Sequence, residues 1–160
     1  MRILLFPTSY PPQMGGLETV IASLAAHLKS RGHEVRVATF AGPGMVPGRE
    51  EAAGVPILRM AYPSGLYGWR HPWASLRYLR TMRGALAELV AWVGDADLVH
   101  VHYLDMNALL GLDLARRLGV PCVATLHGSD VMVASRANRF RQELLSRVAG
   151  EADAITAVSR

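Results

Sequence analysis

Three short stretches carry groups that could act on a ligand: PPQMGGLETV (11–20), DLVHVHYLD (97–105) and LHGSD (126–130). In the first, Gly15 and Gly16 open a helical pattern, where free backbone N–H groups and the positive end of the helix dipole favour an anion. Without a Cβ, a phosphate or sugar can lie against the main chain. A plain tight turn explains two glycines equally well, and local chemistry leaves both readings open. The spacing fits neither GxGxxG nor GxxxxGK[ST], which argues against NAD binding and ATP hydrolysis. Glu18 falls in the first helical turn, where the dipole stabilises an acid.

In LVHVH, period-2 alternation puts Leu98, His100 and His102 on one face of a strand and Val99 and Val101 on the other. His100 lies mid-strand and reads as a hydrogen-bonded core histidine, whereas His102, with Tyr103 beside it, stands at the strand's exit. Two histidines at i and i+2 hint at a metal, but only LHGSD could add ligands, so no metal site is expected. His127 leaves another strand directly before Gly128, Ser129 and Asp130. A histidine there could bond a sugar hydroxyl or a leaving phosphate, and Asp130 could orient it or cap the next turn. No serine occupies a GxSxG elbow, so a serine nucleophile is not indicated.

The elements that must carry these groups alternate in kind. RILLF (2–6) is a continuous apolar run cut by Pro7, the pattern of a strand covered on both faces. Leu17, Val20, Ile21, Leu24, Ala25 and Leu28 form one helical stripe over 17–31, with Gly32 placed as a C-terminal cap. Strands follow at 33–40 and 55–60, joined by a loop over 41–48. A long helix over 72–93 turns Leu79, Met82, Leu86, Leu89, Val90 and Val93 to one face. Strand 97–103, helix 106–118 and strand 120–127 come next. Phe140, Leu144 and Val148 mark a further helix before a strand at 153–159.

Such alternation demands right-handed crossovers and places helices on both faces of a parallel sheet. The expected fold is therefore α/β, a single doubly wound, mostly parallel sheet occupying 1–160. Ligands of such sheets bind beyond the carboxyl ends of the strands, where all three stretches emerge. Ser159 would serve as a helix N-cap with no helix after it, which suggests one domain of a longer protein.

Composition narrows the function classes. The 160 residues are 51% hydrophobic and 19% charged with a formal charge of +4, the profile of a globular chain of one domain. The arginines are spread along the sequence, which suits anionic ligands but does not form a nucleic-acid footprint. Cys122 is the only cysteine, so neither an intrachain disulfide nor a CxxC pair is available. The apolar opening is too short for a signal peptide or a membrane span, and a cytoplasmic location is expected. The aromatic loop AYPSGLYGWRHPW (61–73) could stack on a sugar or an apolar acceptor. Arg77, Arg80 and Arg83, beside Trp73, read first as a solvated helix face and second as a peripheral contact with an anionic membrane.

Together, PPQMGGLETVIASLAAHLKSRGHEVRVAT, DLVHVHY, PCVATLHGSD and ADAITAVS, in this order and spacing, resemble the N-terminal domain of the retaining glycosyltransferases of GT-B architecture. That is the group called glycosyl transferases group 1 or family 4, and the resemblance spans all 160 residues. It implies two Rossmann-like domains, of which the C-terminal, donor-binding one is absent from this chain. It implies sugar transfer from a nucleotide-sugar to an acceptor with retention, without a cofactor or metal. By resemblance Gly15, Gly16 and Glu18 form the loop facing donor diphosphate and acceptor, His102 and Tyr103 lie on the acceptor side, and His127 contacts the transferred sugar. His127 and Asp130 are the expected catalytic pair. The acceptor could be a small molecule, a lipid or a glycan, and this half alone is expected to be inactive. Two other classes stay open, because fold does not fix function: half of a sugar-nucleotide epimerase, or a non-catalytic binding module.

Overall fold

The computed structural model describes residues 1–62, 72–136 and 139–158, and the side chains of 72–79, 133–136 and 139–141 lie outside that description. Seven strands form one sheet: β1 (Arg2–Pro7), β2 (Glu34–Phe40), β3 (Gly48–Ala52), β4 (Val55–Met60), β5 (Leu98–His102), β6 (Cys122–Leu126) and β7 (Ala154–Ala157). Their order is β3-β4-β2-β1-β5-β6-β7, parallel throughout except for the β3–β4 pair. Five helices complete the described elements: α1 (Gly16–Ser30), α2 (Pro72–Val93), α3 (Met106–Leu118), α4 (Ser129–Arg136) and α5 (Arg139–Glu151).

Alternation along β1 sorts the core into two layers. Ile3 and Leu5 pack with Ile21 and Ala25 of α1 and with Val35, Val37 and Ile57 of the neighbouring strands. Leu4 and Phe6 point the other way, into a larger layer with Leu86, Leu89 and Val93 of α2, Leu110 and Leu114 of α3, and Leu144 and Val148 of α5. Helices thus cover both faces, as the strand–helix alternation requires.

Most expected boundaries hold to within two residues, α2 and α3 to the residue. Gly32 follows the C-cap Arg31 with φ 81°, the left-handed position that favours glycine. Three details differ. Val20 is 50% exposed because it lies at the margin of the α1 stripe. β3 begins at the last residue of the expected 41–48 loop and runs through residues given no element: its sequence GREEA is exposed throughout, so an edge strand carried no apolar alternation to betray it. It pairs back on β4 through a hairpin turn at Ala53 and Gly54, both at positive φ. Finally, α4 occupies a stretch left without an element. Most of the aromatic loop (63–71), the side chains of Trp73, Arg77, Leu79 and Phe140, and the cap expected at Ser159 lie outside the described residues.

α3 is the central helix, with both ends capped: Asp105 accepts from the Met106 amide at 2.8 Å, and Gly119 closes the other end at φ 67°. Its Gly111 seats it against β5, where an added Cβ would lie 2.2 Å from Cγ1 of Val101. We expect Gly111→Ala to lower the urea midpoint, since overpacking of roughly 1–3 kcal/mol outweighs the helix-propensity gain of about 1 kcal/mol. Pairing it with Val101→Ala should recover part of the loss, and an equally unstable double variant would count against this contact as the cause.

Candidate functional site

β1 leads through α1 to β2 on one side, while β5 pairs with its other edge, so the strand order reverses between β1 and β5. Open α/β sheets bind ligands beyond the carboxyl ends of the strands at such a reversal. The glycine loop leaves β1 there, and His102 ends β5 beside it, with His127 one strand further on.

The loop is held from below by Arg59 of β4, only 2% exposed. Its guanidinium donates to the carbonyl oxygens of Tyr10 and Pro11, and its Nε to Glu50 Oε1 at 2.8 Å. A cis peptide bond joins Pro11 and Pro12. Beyond it, Met14, Gly15 and Gly16 stand exposed. The two glycines have different reasons to be glycine. A Cβ on Gly15 would lie 2.4 Å from Oε2 of Glu18, whose carboxylate folds back over the loop and accepts from Ser9 Oγ. Around Gly16, by contrast, a Cβ would meet nothing within 4 Å, and its φ is not positive. Neither turn geometry nor packing within the described residues demands glycine at 16. Gly15, the N-cap of α1, offers no side-chain acceptor to the first-turn amides.

The β5 exit is built with more constraint. Asn107, fully buried on the first turn of α3, donates its amide to Phe6 O at 2.7 Å and His102 O at 2.8 Å, joining the ends of β1 and β5. Tyr103 is half-buried at φ 76°, a conformation that costs a bulky residue about 1–2 kcal/mol. The turn is held from both sides. Tyr103 N donates to Thr125 O at 3.1 Å, and Leu104 N to Asp130 at 3.2 Å. The fully buried Asp130 carboxylate also accepts from the backbone amides of His127 and Val131. Among the described contacts it bonds the His127 backbone, not the ring, and it ties the exits of β5 and β6 together.

The histidines form one cluster. His100 and His102 rings stack with centroids 4.0 Å apart, and His102 Nδ1 lies 3.3 Å from His127 Nε2. His100 Nε2 bonds Thr125 Oγ1 at 2.7 Å, which in turn meets Thr156 Oγ1 at 2.6 Å. His102, expected at the acceptor side, is only 2% exposed, because the other rings and α3 cover it; His127 is half-buried. Burial lowers all three: His100 to about 4, His102 to about 2, and His127 to below its ordinary value, where Asp130 opposes the shift. The cluster is thus neutral at neutral pH.

An open cleft of about 480 Å³ lies alongside, over the carboxyl ends of β1 and β2, lined by Ser9, Gln13, Phe40, Gly42 and Tyr62 among others. Phe40 and Tyr62 meet edge to face at 5.0 Å, offering an aromatic wall beside hydroxyl and amide groups. Among the described residues, no His, Cys, Asp or Glu cluster could hold a metal ion, and no helix is long and apolar enough to cross a membrane. Arg59 and Asn107 were not singled out from sequence. Both had a signal, a charge inside the apolar run VPILRM and an amide on the buried face of α3.

The depressed histidines have a stability consequence. At pH above about 6.5 they are neutral folded or unfolded, and as pH falls toward 4 the unfolded chain takes up protons that the folded one refuses. The unfolding free energy, and with it the urea midpoint, should therefore drop between pH 7 and 5, the free energy by up to about 1.4 kcal/mol per pH unit for each of His100 and His102. A midpoint constant over that window would contradict the burial of neutral rings.

Known proteins resemble this chain in sequence and in fold. The chain is 29% identical over 166 residues to alpha-monoglucosyldiacylglycerol synthase of Acholeplasma laidlawii, covering 94% of this chain and 37% of that protein. It is 31% identical over 144 residues to the GDP-mannose-dependent alpha-mannosyltransferase of Mycobacterium tuberculosis, covering 82% of this chain and 33% of that one. In fold it is similar to the sucrose-phosphate synthase of Thermosynechococcus elongatus, with a TM-score of 0.66 at 16% identity over 96% of this chain and 41% of that one. It is similar also to the catalytic domain of starch synthase IV from Arabidopsis thaliana bound to ADP and acarbose, with a TM-score of 0.54 at 17% identity, covering 78% and 33%. The chain thus spans between a third and about two-fifths of the length of these relatives. Matched over residues 14–160 by the model of Glycosyltransferase Family 4, it belongs to that family.

Proposed function

We propose that this chain is the acceptor-side half of an enzyme that moves a sugar from a nucleotide-sugar to an acceptor hydroxyl with retention of anomeric configuration. Support comes above all from Gly16: an exposed helix N-terminus whose glycine is required neither by φ nor by a neighbour, set at the reversal of strand order. The first-turn amides of α1 would face the departing diphosphate and share its charge with basic side chains of a second domain, so that no metal is called for. As the anomeric carbon–phosphate oxygen bond breaks, the acceptor oxygen bonds to the same face of the sugar. Its proton leaves with the diphosphate.

In this reading His127 contacts the transferred sugar, while Asp130 acts as a positioning residue through the His127 and Leu104 amides. The cleft against Phe40 and Tyr62 seats the acceptor. A relative named alpha-monoglucosyldiacylglycerol synthase is consistent with a lipid acceptor, and one named as GDP-mannose-dependent with a nucleotide-sugar donor. The exposed Arg80 and Arg83 of α2 suit a peripheral contact with an anionic membrane at the cytoplasmic face.

In the protein completed by its donor-binding half, Gly16→Trp should abolish transfer while leaving the melting temperature of the domain unchanged. Wild-type turnover in that variant would sink the proposal. For the 160-residue chain alone, calorimetry with UDP-glucose and GDP-mannose should show weak or no binding; tight binding would refute the division of labour between halves.

A further inference from the structure

The two ring nitrogens of His102 have unlike surroundings. Nδ1 faces Nε2 of His127 at 3.3 Å, whereas Nε2 is buried with no partner among the described residues. A neutral imidazole carries one N–H and one lone pair. A proton on Nε2 would bury a donor with nothing to receive it, and orphaned N–H groups are rarer inside proteins than under-used acceptors. A proton on Nδ1 leaves only a lone pair unmatched and makes His102 the donor of the His102–His127 bond. His127 must then accept through Nε2, which puts its own proton on Nδ1. That Nδ1 has no partner among the described residues.

We propose that His102 is a positioning residue that locks His127 in its Nδ1–H tautomer, so that His127 presents a hydrogen-bond donor to the ligand and not a base. Its counterpart on the ligand is an oxygen that accepts, a sugar hydroxyl or a phosphoryl oxygen. Burial keeps both rings neutral at neutral pH, so the tautomer persists there. The stacked His100, pinned through Thr125 to Thr156, holds the His102 ring in the plane that makes the contact. The ligand half of this inference rests on the functional reading above; the tautomer does not.

Two-bond proton–nitrogen correlation spectra of the ¹⁵N-labelled 160-residue chain at neutral pH read the tautomers directly. Expected are a pyrrole-like Nδ1 and a pyridine-like Nε2 for both His102 and His127. In His102→Phe, which keeps a ring but removes both nitrogens, His127 should revert to the Nε2–H form that an unconstrained histidine favours. An Nε2–H His127 in the wild type, or an unaltered His127 in His102→Phe, overturns the assignment. Should that variant not fold, the wild-type spectrum alone decides. In the completed protein, GDP-mannose and UDP-glucose should move the His127 Nδ1 resonance; if neither does, the ligand half fails along with the functional reading, and the tautomer assignment stands.

Discussion

The side-chain amide of Asn107 donates to two carbonyls at once, Phe6 O and His102 O, where two neighbouring parallel strands run out of ladder. Everything at the site hangs from those two strand ends. β1 delivers the glycine loop and β5 the histidine cluster, and the sheet reverses its order between them. A shared amide nitrogen fixes how far apart they stand. Because Asn107 is fully buried, any movement that broke one of its bonds would strand a carbonyl in the core, at a cost of roughly 1–3 kcal/mol. The crevice is therefore held rigid by the same group that caps the core.

The remaining braces follow one scheme, in which buried polar side chains hold backbone and leave the exposed positions clear. Arg59 grips the carbonyls of Tyr10 and Pro11 from beneath. Asp130 gathers amides from the exits of two strands and so keeps Tyr103 in a left-handed turn it would not adopt alone. Both groups bond main chain directly. Their work is to place main chain, and it leaves Gly16 and His127 as the accessible members of the arrangement.

The fold was largely legible because its signals are local: continuous apolar runs for β1 and β4, a 3.6-residue stripe for α1 and α2, and a cap glycine at 32. What escaped was what periodicity does not encode. β3 buries neither face, so alternation had nothing to report, and Val20 failed only because a stripe read as a list has no centre. The three stretches singled out from sequence all emerge at the carboxyl edge of the sheet, but the contacts among them there were not legible. The relative exposure of His100 and His102 depends on which rings stack on which, and the difference between Gly15 and Gly16 depends on where Glu18 turns. Those are contacts across the fold, invisible to spacing along a strand or helix.

The open space around Gly16 bears on how this domain would respond to engineering. Alanine there would relieve the conformational entropy of glycine at the start of a helix and meet no steric objection. A selection for thermostability applied to this chain would therefore favour losing the glycine. Under the proposed function, residue 16 is a position where stability and use are set by different partners, and a stability assay does not register what the missing carbon is for.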